Sequence, residues 1–88
     1  MKKIFKYELH PLKKTICTHA LVKFISVQVQ RGIPCIWAEV NDSNETVEVE
    51  FQTIPTGGKV PDMSFNYLGT FQLDGGNLVF HVYIKELK

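Results

Sequence analysis

Hydrophobic and polar residues alternate along most of this chain, in short runs separated by turn-forming residues. From Ile4 to Leu9, Phe5, Tyr7 and Leu9 share one face and Lys6 and Glu8 the other. His10-Pro11 ends the run, because proline donates nothing to a strand ladder. Thr15 to Leu21 is a weaker β-prone stretch. Phe24 to Gln30 sets Ile25, Val27 and Val29 against Ser26, Gln28 and Gln30. Arg31-Gly32 is a turn, and Pro34 to Val40 returns with Ile36, Ala38 and Val40 opposite Cys35, Trp37 and Glu39. These two runs form the most clearly marked hairpin. After the turn formers Asn41 to Asn44, the stretch Thr46 to Thr53 alternates strictly, as a half-solvated antiparallel strand does. Ile54 to Asp62 holds two prolines and two glycines and reads as an irregular loop, with room for a helical turn after Pro61. Phe65 to Leu73 is a strand with a bulge expected at Gly69. Asp74-Gly75-Gly76 turns the chain, and Leu78, Phe80, Val82 and Ile84 then face inward, opposite Val79, His81 and Tyr83.

No segment keeps a helical period over about eleven residues. The pattern predicts one all-β domain over residues 1–88. Six or so mostly antiparallel strands run in a meander that closes as a small sandwich or barrel.

With 88 residues the chain has a thin core, and such domains often gain buried area by self-association, so a homo-oligomer is expected. A hydrophobic content of 44% argues against disorder. Ten basic and nine acidic residues argue against binding a nucleic-acid polymer, which calls for a basic excess on one face. The basic cluster Lys2, Lys3, Lys6, Lys13 and Lys14 reads as a solvated edge. The first residues have the charge of a signal peptide but lack the apolar stretch that should follow. No run approaches about 18 apolar residues, so no membrane-spanning helix is expected and the reading is a cytoplasmic protein. Cys17 and Cys35 then read as reduced thiols rather than a disulfide.

Nothing specific marks an enzyme or a cofactor site. The three histidines and two cysteines leave a Cys35–His81 pair open, but no local feature activates either residue, and Cys35 reads as a small buried hydrophobe. Cys17-Thr18-His19 lacks the second pair that a zinc site needs. Glu48 and Glu50 lie two apart on a solvated face, and neither a phosphate-binding loop of the Walker type nor a dinucleotide fingerprint is present.

Two features point to binding. In Thr56-Gly57-Gly58-Lys59, consecutive glycines let backbone N–H groups converge on a phosphate beside a hydroxyl and an ammonium, although the same glycines suit a tight turn. The second is a polar-aromatic set comprising Gln28, Gln30, Trp37, His81 and Tyr83, in which amides read a nucleobase edge and rings stack on it. Arg31 joins the phosphate-holding group. For each residue alone, a purely structural role is the more economical reading.

The runs Val27-Gln28-Val29-Gln30-Arg31-Gly32-Ile33-Pro34-Cys35-Ile36-Trp37-Ala38 and Leu68-Gly69-Thr70-Phe71-Gln72-Leu73-Asp74-Gly75-Gly76, continuing to Val82, resemble a family of small phage and prophage proteins classed as a domain of unknown function. The opening Met1 to Leu9 matches it too. The family typically shows Gly-Thr-Gly-His before its Pro-Asp, and the segment Pro55 to Asp62 here lacks that histidine. The resemblance implies a phage-encoded protein acting in the host cytoplasm. Small phage β proteins include anti-defence sponges that sequester cyclic-nucleotide immune signals, as anti-CBASS proteins do. By that analogy the expected activity is non-enzymatic binding of a small nucleotide ligand between subunits. The alternatives are a protein-interaction module that inhibits a host protein, and a small hydrolase.

Overall fold

The structure, a computed structural model, describes residues 1–86, with the backbone alone at Glu86. Seven strands form: β1 (Lys2–Glu8), β2 (Thr15–His19), β3 (Lys23–Gln30), β4 (Ile33–Asn41), β5 (Thr46–Pro55), β6 (Asn66–Leu73) and β7 (Leu78–Glu86). The protein is all-β, in two antiparallel sheets that do not close into a barrel. One has the order β1-β4-β3 and the other β2-β5-β7-β6. The weak stretch after Thr15 is a full strand, which raises the number above six. Among the described residues, only β3–β4 and β6–β7 are consecutive hairpins. β1 reaches across to β4 and β2 to β5, so the chain crosses between layers twice before its first hairpin partner is met.

The β3–β4 hairpin is built by Arg31 at φ 54° and Gly32 at φ 78°. Positive φ at both central positions is the two-residue turn whose twist matches the flanking strands. The register pairs Val27 with Ile36 and Gln28 with Cys35. One expectation fails here. The register slips between Phe24 and Ser26, so Ile25 is bulged out and half-exposed, while Phe24 takes the inward place. A bulge inverts the faces on one side of itself, which a strict two-residue count does not anticipate. The bulge expected at Gly69 is present, with the β6–β7 register shifting between Tyr67 and Gly69. The helical turn foreseen after Pro61 does not form. Asp62 instead organises a bend by accepting from the Ser64 backbone and hydroxyl. The only helical turn among the described residues is the 3₁₀ segment Asp74–Gly76.

The core lies between the sheets. Ile36 from one layer meets Ile16, Val49, Phe51, Phe71 and Val82 from the other, with Tyr7, Phe24, Val27 and Val29 packed around them. Each fully buried aliphatic chain of this kind contributes about 1.5–3 kcal/mol. At one side the layers meet where Gly69 lies against Val27; a Cβ at that position would stand 3.1 Å from Val27 Cγ2. At the other side the hydroxyls of Tyr7 and Thr18 share a hydrogen bond of 2.8 Å, which satisfies the buried Thr18. Among the described residues no helix is long and apolar enough to cross a membrane.

Candidate functional site

The two sheets turn their inner faces toward one core, so their outer faces point in opposite directions. That division separates the sequence-predicted binding residues. Gln28, Gln30 and Trp37 lie on the outer face of β1-β4-β3: Gln28 stands opposite Cys35, and Ser26 opposite Trp37. Trp37 is half-buried there and outside the core. The Lys6 ammonium donates to Gln30 Oε1 at 2.7 Å. Since Lys6 and Gln30 flank β4 from either side, this bond arches over Cys35, which is only 1% exposed although its strand position faces outward. Burial pushes the Cys35 thiol up, and the nearby Lys6 charge opposes this in part.

His81 and Tyr83 lie on the other outer face, together with Thr56. Thr56 Oγ1 is 2.9 Å from His81 Nε2, and Thr70 Oγ1 is 2.9 Å from Nδ1. The Tyr67 hydroxyl meets Thr70 Oγ1, and the Tyr67 and Tyr83 rings pack edge to face at 5.6 Å. The polarity of this chain follows from its ends. Thr56 donates to the Val79 carbonyl, so it accepts from His81 Nε2–H. Nδ1 then accepts from Thr70, and Tyr67 donates to Thr70. Both imidazole nitrogens are thus occupied by hydroxyls.

The glycine bend is a tight turn. Gly58 N–H donates to the Pro55 carbonyl at 2.8 Å, and Thr56 N–H donates to that of Val79 at 3.1 Å. Gly57 sits at φ 91°, and a Cβ at Gly58 would approach Ile54 Cγ2 and the Pro55 oxygen at 2.9 Å. One glycine supplies the dihedral and the other the space. Two of the N–H groups that would converge on a phosphate are therefore used inside the fold. Lys59 follows, exposed.

A further concave feature lies elsewhere. Between the sheets, at the end where the β1–β2 loop meets the β3–β4 turn, a cleft of about 840 Å³ opens to solvent. Leu9, Phe51, Phe71, Leu73 and Phe80 form its floor, with the Phe71 and Phe80 rings stacked at 5.5 Å. His10, Lys13 and Lys14 stand at the rim, with Glu8, Glu50 and Gln52 beside them. The loop that carries the lysines is fixed locally: Leu12 N–H donates to His10 Nδ1, and Lys13 N–H to the His10 carbonyl. Gly32 also lines the cleft, which puts Arg31 at the same end of the molecule. Small-molecule sites are typically clefts of this size, with an apolar floor and few polar groups. Sequence reasoning missed it because its lining comes from separate strands, none of which carries a motif. The available signal was Lys13-Lys14 shortly after the strand-breaking His10-Pro11.

A family model described as a domain of unknown function (DUF7352) matches residues 1–88, the whole chain, and the chain belongs to that family. No curated protein and no solved structure matches it.

Proposed function

We propose that this DUF7352 member is a non-enzymatic binding protein that takes a nucleotide base-first into the cleft between its sheets. The cleft itself carries this reading: a ring-lined apolar floor under a rim with two adjacent lysines. Phe80, partly exposed and backed by the buried Phe71, offers stacking surface to a base, worth about 1–3 kcal/mol per base in stacking sites. Lys13, Lys14 and the nearby Arg31 supply charge for phosphate. The cleft volume and the near-neutral surface favour a small ligand over a polymer.

Within this reading, the biological role is that of a phage-encoded sponge, holding a cyclic-nucleotide immune signal of the CBASS kind in the host cytoplasm. The sequence runs from Val27 to Ala38 and from Leu68 to Val82 support that placement through their resemblance to phage proteins. Calorimetry against a panel of cyclic di- and oligonucleotides tests it. Saturable binding with the ligand recovered unchanged is expected, and uniform absence of heat would overturn it.

A second reading, docking on a host protein, draws on one observation. On the outer face of β1-β4-β3, Ile4 is 64% and Ile25 50% exposed on either side of Trp37. A partner there would protect Trp37 from fluorescence quenchers, and unchanged quenching in the presence of host proteins would count against it.

A further inference from the structure

Four strands end the two sheets, and three of them are guarded. β3 and β6 close on each other at Val27 and Gly69. β1 carries Lys2, Lys3 and Lys6, the type of residue that discourages pairing at an edge. β2 has no lysine, arginine, carboxylate or proline between Thr15 and His19, and β1 meets it through side chains, Tyr7 at Thr18 and Phe5 at His19, leaving its outer backbone edge unpaired. Its free backbone groups are identified by the bonds at its ends. Phe51 N–H donates to the Lys14 carbonyl and Ala20 N–H to that of Glu45, so the even-numbered residues face β5. Thr15, Cys17 and His19 therefore turn their N–H and C=O groups outward.

We infer that a second copy of this chain pairs antiparallel with β2 about a two-fold axis at Cys17, joining the two four-stranded sheets into one. In that register Cys17 faces Cys17 of the second copy, and Thr15 faces its His19. Two observations favour a second copy over another strand. Leu12 and Leu21 are 87% and 88% exposed and lie at opposite ends of β2. The register sets Lys13 beside Leu21 of the second copy and Leu12 beside its Val22, so the two leucines become neighbours twice across the axis. Leu21 also holds a φ of 63°, a strained value for a branched residue, while its side chain has no cover within one copy. The charges complement as well. Lys14 faces Ala20 of the second copy, whose neighbour on β5 is Glu45, and symmetry makes this contact twice. A groove of about 440 Å³ runs beside Thr15, Ile16 and Cys17 and leaves the edge approachable.

Sedimentation equilibrium and thiol crosslinking of the full chain test the inference. The expected mass is twice that of one chain. A short bifunctional thiol reagent should link Cys17 to Cys17, since paired Cα atoms at such positions lie about 5.5 Å apart. Cys35, at 1% exposure, should stay unreacted. Cys17→Pro removes an outward N–H that β5 does not use, so the fold is kept and a monomer is expected. Cys17→Lys sets two ammonium groups face to face and should also give a monomer, with an unchanged far-ultraviolet spectrum in both variants. A monomeric wild type, a dimer that fails to crosslink at Cys17, or a dimer that survives both substitutions would overturn it.

Discussion

Thr18 illustrates how little slack a small core has. Its hydroxyl is buried at 2% exposure and is satisfied by the Tyr7 hydroxyl, which reaches over from the other sheet. Removing one partner strands the other: Tyr7→Phe should cost about 1–3 kcal/mol of stability, read from urea unfolding. Adding Thr18→Val should recover part of that loss, because both polar groups are then gone. A double variant less stable than the sum of the two singles would show that the pair is not coupled in this way. Cys35 was legible in sequence as a buried thiol, but its cover was not, since the Lys6–Gln30 bond joins residues 24 apart in sequence and depends on the register of three strands. Alkylation should label Cys17 quickly and Cys35 slowly. Gln30→Ala, which removes the arch, should speed labelling of Cys35 severalfold, and an unchanged rate would refute the shielding role.

Among the elements, strands with unbroken alternation were read correctly from sequence: Thr46 to Thr53 and, apart from the buried Cys35, Pro34 to Val40 show their buried residues where the period places them. Legibility failed where a bulge reset the count, at Ile25, and where a strand was held by pairing rather than by its own pattern. β1 extends back to Lys2 because Lys2 pairs with Asn41 and Lys3 with Val40. That end is clasped by charge. Asp42 accepts from the Lys3 ammonium at 2.8 Å and from the N-terminal ammonium at 3.1 Å, which holds its carboxyl at about 2, below the ordinary 3.8. A carboxyl lowered in the folded state stabilises above its unfolded value, and the contribution fades as pH falls from 3.8 toward 2. Asp42→Asn should therefore lower the melting temperature at neutral pH and have almost no effect near pH 2; an equal loss at both would contradict the clasp. At the opposite side, Gly69→Val should destabilise by about 1–3 kcal/mol by forcing β6 off Val27, with partial rescue by Val27→Ala.

At the scale of the whole molecule, the sequence carried the all-β class but not the layer to which each strand belongs. Gln28 and His81 both sit on polar faces, and alternation alone does not tell whether two polar faces are the same surface. The crossings of β1 to β4 and β2 to β5 decide that they are opposite. The same crossings leave one end of the sandwich open above Phe71 and Phe80, and the β1–β2 loop brings Lys13 and Lys14 to its mouth. Amide-resolved nuclear magnetic resonance, with a cyclic nucleotide titrated into the protein, tests the claimed site most directly. Shifts should gather at Leu9 to Lys14, Phe71 and Phe80, leaving Gln28, Trp37 and Tyr83 at their free positions. Shifts centred on Trp37 or Tyr83 with the cleft amides unmoved, or no shifts with any nucleotide, would contradict it.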